Sequence, residues 1–318
     1  MQELLTRYPG VLVAMLVLGL AEWLWLRLAS GQSYDARASV ASIGVAIGQV
    51  LVKPLTAGVI VATYSWVHSF ALWHLPMNDW RSWVVGFFAV EFAYYWFHRW
   101  SHTVNWLWAT HAVHHSANEL TLPAAVRLGW TSIISGGWLI FAPLVLLGIS
   151  PTMIGILLAL NLLYQFGLHT EMIRKLGALE WILNTPSHHR AHHACDGPWL
   201  DCNFGGVLII FDRWFGTFVA EPDEGGLRYG LTDPIRSNNP VVIALRQWKI
   251  MGTALVAATD RKRRVEILFG QPSNLVANLV TSKHAPSEPV IGCGHDTITQ
   301  KIILPATATQ CPLSTASK

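Results

Sequence analysis

The chain has 318 residues, 52% of them hydrophobic and only 13% charged, where soluble domains carry roughly 25% charged residues. Sixteen tryptophans accompany that composition, and tryptophan favours membrane–water interfaces, so an integral membrane protein is expected. The net charge of +3 is too small to support nucleic-acid binding, and four cysteines without a C-x-x-C spacing make reduced thiols the simpler reading than a disulfide framework.

In chain order, residues 9–28 form an apolar run of about the length that spans a bilayer. Its weakly charged start and Trp-rich end favour a retained span over a cleaved signal. Glu22 lies inside it and is expected to face protein or the interface, because an ionisable group is costly in lipid. Residues 29–39 read as a polar loop. Residues 40–75 are apolar but interrupted by Lys53-Pro54, which predicts one kinked span, or a partial helix followed by a full one. Asp79 is the expected N-cap of a span over residues 81–100. Residues 126–147 and 152–170 are expected to form a helical hairpin, turning at Gly148–Pro151 with Pro151 at a helix start. Residues 221–240 read as a surface loop and 241–258 as an amphipathic or interfacial helix. Arg261–Arg264 is a basic cluster that reads as a solvated face or a contact to anionic lipid. The organisation is therefore an N-terminal span and loop (1–39), a catalytic region (40–272) and a mobile tail (273–318).

Ten of the fourteen histidines fall between His98 and His193, in HRWSH (98–102), HAVHH (111–115), a lone His169, and SHHRAHH (187–193). Chance gives one H-x-x-H-H roughly 0.03 times in such a chain, and here there are two. On a helix, residues three and four apart share a face. His98 with His102, His111 with His114 and His115, and His189 with His192 and His193 are thus expected to present imidazoles together. Neutral imidazole is the commonest metal ligand. So many are too many for one closed tetrahedral site and enough for two adjacent metals with open positions.

These boxes resemble those of the sterol desaturase/fatty acid hydroxylase superfamily. EFAYYWFHRWSH is similar to that family's acidic-F-x-Y-Y-W-x-H-R signature, with Glu91 where Asp is more usual, and NTPSHHRAHHACDGPWLDCNFGGVLIIFDRWFGTF (184–218) is nearest in pattern to its alkylglycerol monooxygenase-like and sterol C5-desaturase-like branches. The likeness runs from about residue 40 to 272. Gln165 stands where some members carry another histidine, and Cys195 and Cys202 follow the third box, where the family has no fixed cysteines. The resemblance implies an all-α integral membrane helical bundle of about four to five spans, with a cytoplasmic helical cap holding a histidine-rich dimetal site. It implies two iron ions as cofactor and dioxygen as co-substrate. It also implies a lipid substrate (sterol, fatty acyl chain or alkyl ether) and an external electron donor that is cytochrome b5-like, ferredoxin-like or a pterin. His169 matches the extra histidine carried between the second and third boxes. The expected ligands are His98, His102, His111, His114, His115, His169, His189, His192 and His193. Histidine ligands need acceptors for the far ring nitrogen, for which Glu91, Asp201 and Asp212 are candidates, with Gln165 and His188 as further neighbours.

One dimetal site requires the histidine-bearing span ends to share a side. Arg27, Arg37, Arg99 and Arg127 flank that side and Arg7 and Arg81 the other, which favours the cytoplasm. Two other readings stay open on the residues alone. One is a non-redox metal-dependent lipid enzyme. The other is a metal-binding or transport protein, although transport wants ligands along a midplane path rather than at span ends.

Overall fold

The computed structural model describes residues 9–30, 35–195, 197–223, 225–273 and 275. The expected mobile tail therefore lies almost wholly outside the described residues, as do the polar start and residues 31–34 of the first loop. Helix α1 (Pro9–Trp25) runs into a π-type turn, Leu26–Ser30. Next come α2 (Ala36–His68), α3 (Trp80–Thr103) and α4 (Asn105–His111), then a 3-10 turn at His114–Ser116. Three short helices follow: α5 (Leu122–Ala125), α6 (Ser132–Ser135) and, after a 3-10 turn at Gly137–Phe141, α7 (Ala142–Leu146). The described residues continue through α8 (Pro151–Phe166), a 3-10 turn at Gly177–Trp181, α9 (Pro186–His192), a 3-10 turn at Gly197–Trp199, α10 (Ile210–Phe215), α11 (Pro240–Ala257) and α12 (Arg261–Phe269). No strand forms among the described residues, where pairing is limited to the bridges Leu183–Leu208 and Ala194–Tyr229.

Two helix starts fall where the sequence puts them. The Asp79 carboxylate accepts from the Arg81 N–H at 2.9 Å and opens α3, and the Ser150 hydroxyl accepts from the Met153 N–H at 3.1 Å with Pro151 in the first turn of α8. Lys53-Pro54 does not break α2, which is one helix of 33 residues. The proline forfeits one backbone bond, but in so apolar a stretch, with a mean hydropathy of 1.8, a break would strand several more. The Thr56 hydroxyl also donates to the Lys53 carbonyl at 2.9 Å. The expected 126–147 span, by contrast, is not a single helix. Gly136 at φ +69° ends α6 in the left-handed conformation. At Gly137 a Cβ would lie 2.6 Å from the Phe97 ring, so the backbone packs directly on α3.

Among the described residues α2 is long and apolar enough to cross a membrane. Little of that stretch is buried, and Val40, Ile47, Leu51, Leu55 and Val59 point outward. Its other side joins α3, α7 and α8 in a core of Tyr64, Val90, Tyr94, Phe141, Val145, Met153 and Ile154. Glu22 is 1% exposed and faces protein, accepting from the Leu122 N–H at 2.7 Å and the Thr170 hydroxyl at 2.6 Å. That carboxylate ties α1 to α5 and to the turn beyond α8, the turn that carries His169.

Candidate metal centre

The nine expected ligands come together from five pieces of chain. The end of α3 supplies His98 and His102. The end of α4 supplies His111, and the 3-10 turn after it His114 and His115. The turn beyond α8 supplies His169, and α9 with its C-cap supplies His189, His192 and His193. They form two groups: His98, His102, His111, His115 and His192; and His114, His169, His189 and His193. Within each group one nitrogen per ring lies within 4.8 Å of all the others. The groups adjoin, with the His115 and His193 rings stacked 4.3 Å apart.

This division corrects the one-face reading of H-x-x-H-H. In each box the first and last histidines, four residues apart, serve the same group, while the fourth crosses to the other: His114 leaves His111 and His115, and His192 leaves His189 and His193. The second box cannot present one helical face because α4 stops at His111 and the chain tightens into a 3-10 turn at His114.

The outer nitrogens fix the tautomers. A carbonyl oxygen only accepts, so Nδ1 carries the proton in His98 (to Phe204 O, 2.9 Å), His114 (to Arg127 O, 3.3 Å), His169 (to Gln165 O, 2.8 Å) and His192 (to Cys202 O, 2.8 Å). Their Nε2 atoms then hold lone pairs. Yet His114 Nε2 and His169 Nε2 are 3.2 Å apart with no proton to share. His192 Nε2 is buried without a hydrogen-bond partner, and so is His102 Nε2. Lone pairs converging in a dry interior are unfavourable alone and are the donor set a metal cation requires. The residues therefore fit a pair of imidazole-bound metal ions. Burial holds His114 and His192 down to about 3 and His169 to about 4, and pushes His111, His115, His189 and His193 well below the usual value. All seven are neutral at pH 7, the state that binds metal.

Of the three carboxylates expected to touch ligand rings, Asp201 does so, its Oδ1 lying 3.2 Å from His102 Nδ1. Glu91 and Asp212 hold backbone instead. Glu91 accepts from Asn161 Nδ2 (2.6 Å) and from the Val207 and Leu208 N–H groups (2.8 and 3.1 Å). Asp212 accepts from the Phe204 and Gly205 N–H groups, both at 2.7 Å, and from the Thr217 hydroxyl. Burial raises Asp212 to about 6, with those hydrogen bonds pulling the other way. Gln165 reaches His169 through its carbonyl, while its amide bonds Asn161 and Tyr94. His188 joins neither group. It packs on Phe218 with Nε2 3.8 Å from Glu180, and burial holds it at about 4. The carbonyls of Arg127, Gln165, Cys202 and Phe204 carry no residue-type signal. Asn203 and Asn161 were also unmarked, although N-F-G-G at 203–206 is a turn signature.

Residues 83–217 match the fatty acid hydroxylase family. The chain is 36% identical over 251 residues to the alkylglycerol monooxygenase of Xenopus tropicalis, covering 79% of this chain and 54% of that protein. It is 41% identical over 209 residues to the human alkylglycerol monooxygenase, covering 66% and 46%. It is 28% identical over 193 residues to the ornithine lipid hydroxylase OlsE of Rhizobium tropici, covering 61% and 55%. The chain thus spans about half the length of the curated relatives it matches. No solved structure matches it.

Proposed function

The chain belongs to the sterol desaturase/fatty acid hydroxylase superfamily, and from that membership we propose that it is a membrane-bound di-iron oxygenase acting on a lipid. The observation that carries the proposal is the pair of buried histidine groups with inward lone pairs. His98, His102, His111, His115 and His192 would hold one iron, and His114, His169, His189 and His193 the other. Two irons held there, given dioxygen, two external electrons and two protons, would supply an oxidant able to attack an unactivated C–H bond, with one oxygen atom ending in the lipid and the other in water. The relatives named as alkylglycerol monooxygenases and ornithine lipid hydroxylase support an alkyl ether or acyl lipid as the substrate class. The electrons come from a donor of the cytochrome b5, ferredoxin or pterin class.

The chain's own residues orient and desolvate. Carbonyl acceptors lock four rings with Nε2 inward, and the Asp201 carboxylate orients a fifth. The Phe204 ring packs 5.3–6.1 Å from His98, His102 and His192, and Trp108 lies 5.2 and 5.6 Å from His102 and His115, shielding these four rings of the five-histidine group from water. With α2 spanning the bilayer, the centre sits at helix ends on the cytoplasmic side of a multi-pass protein and meets its substrate from the membrane.

The test is direct. Protein purified anaerobically from iron-replete cells should hold two irons per chain and consume oxygen with reductant and an alkylglycerol or acyl lipid, yielding an oxidised lipid. One tightly held zinc with full activity and no iron dependence would overturn the proposal.

A further inference from the structure

Three of the outer contacts to the five-histidine group come from one short loop. His102 meets the Asp201 carboxylate, His192 the Cys202 carbonyl and His98 the Phe204 carbonyl. The same loop holds the two non-glycine residues with positive φ among those described, Asp201 at +57° and Asn203 at +54°. Left-handed backbone is disfavoured for a residue with a side chain, least so for Asn and Asp, and persists where surroundings enforce it. Here the alternation turns successive acceptors toward the same group.

The geometry points to Asn203 as the positioning residue for that group, acting through the loop and touching no ligand ring. Asn203 is fully buried. Its Nδ2 donates to the His188 carbonyl (3.0 Å) and the Val219 carbonyl (2.7 Å), and its Oδ1 accepts from the Val219 N–H (2.9 Å). Its backbone N–H donates to the Thr217 carbonyl at 3.0 Å. One side chain thus bolts the loop both to α9, which carries the third box, and to residues 217–219. Asparagine is suited twice over: among residues with a Cβ it tolerates left-handed backbone well, and its amide supplies both donors and an acceptor.

The effect is one-sided, because α9, which also carries His189 and His193, stays anchored through Arg190 to the Glu221 carboxylate and to the Thr170 and Ile173 carbonyls. The outer partners that fix His114 and His169 in the four-histidine group are the Arg127 and Gln165 carbonyls, on other segments. Outer partners are each worth 10–100-fold in metal affinity, and three hang on this loop. Loosening Asn203 therefore weakens one metal and spares the other.

This inference rests on the two-metal reading, and the experiment separates the two. The full chain in detergent is compared as wild type, Asn203→Ala, Asn203→Gly and Asn203→Asp. Glycine keeps the left-handed backbone and loses the bolt; aspartate keeps the acceptor for Val219 and loses both donors. Each is titrated with Co2+, followed by absorption, and separately loaded with 57Fe(II) for iron content and Mössbauer spectra. The wild type should show two sites. Asn203→Gly and Asn203→Ala should keep one site at wild-type affinity, weaken the other at least tenfold, and lose the spectrum of an interacting pair. Asn203→Asp should fall between. Two sites of wild-type affinity in the variants would overturn the inference, and so would equal loss of both sites at an unchanged melting temperature. If no Asn203 variant folds, the residue is structural and the inference fails. A wild type without a second site sinks the two-metal reading itself.

Discussion

Replacing His169 by alanine separates a ligand from a merely buried histidine, because His188 supplies a matched control. Both are 2% exposed, so both truncations leave a cavity that costs about 2–5 kcal/mol of stability. Their surroundings differ. His169 Nε2 lies 3.2 Å from His114 Nε2 and 3.1 Å from His189 Nε2, so its loss leaves three nitrogens in the four-histidine group. Loss of an outer partner alone costs 10–100-fold in affinity, about 1.4–2.8 kcal/mol, and loss of a ligand must exceed that. The His188 ring packs on Phe218 with Nε2 3.8 Å from Glu180, and it belongs to neither histidine group. His169→Ala should therefore fall from two irons to one and lose activity as severely as His114→Ala, whereas His188→Ala should melt lower yet keep both irons. Metal content per chain and melting temperature, measured on the same anaerobic preparations, decide it. Both irons and near-normal turnover in His169→Ala would refute the nine-ligand arrangement.

Acid should destabilise the metal-free protein. His114, His169 and His192 are held at about 3, 4 and 3 against 6.5 unfolded, so the unfolded chain binds protons first and stability falls as pH drops below about 6.5, by up to about 1.4 kcal/mol per unit per histidine; a melting temperature flat from pH 7.5 to 5 after chelation would contradict this. Gly205→Ala would bring a Cβ to 2.2 Å from the Leu208 carbonyl and should cost about 1–3 kcal/mol in thermal unfolding. Gly155→Ala in α8, with nothing within 4 Å, should be neutral or stabilising by up to about 1 kcal/mol. Glu22→Ala strands the Leu122 N–H and the Thr170 hydroxyl in the interior and should cost about 2–4 kcal/mol in denaturant melts.

What the sequence made legible was local and chemical. The boxes, the Asp79 and Pro151 helix starts, and a Glu22 kept out of lipid follow from residue type and spacing. Over residues 126–147 apolar composition does not distinguish one helix from three short pieces. That difference rests on Gly136 at φ +69° and on the approach of Gly137 to Phe97. At Pro54 the sequence left open one kinked span or a partial helix followed by a full one, and the continuous helix Ala36–His68 agrees with the single span, because ending a helix in apolar surroundings costs more than one lost backbone bond. The outer partners were hidden for a simpler reason, since most are backbone carbonyls whose direction depends on loops closing far along the chain.

The crossing of the boxes explains why the motif ends in two adjacent histidines. His114 and His115 serve different groups, and so do His192 and His193. Neighbouring Cα atoms are about 3.8 Å apart, and the paired rings lie 5.4 and 5.1 Å apart. Each H-H dipeptide is thus a covalent tie of fixed length between the two groups, and there are two such ties, on α9 and on the turn after α4. If the rings of each box all served one group, the gap between groups would be set by helix packing alone and would drift with it. With the ties, the groups cannot separate by more than adjacent residues allow. That closeness is what the proposed reaction, with two metals acting on one dioxygen, would need, and it is built into the sequence as the doubled histidine of H-x-x-H-H.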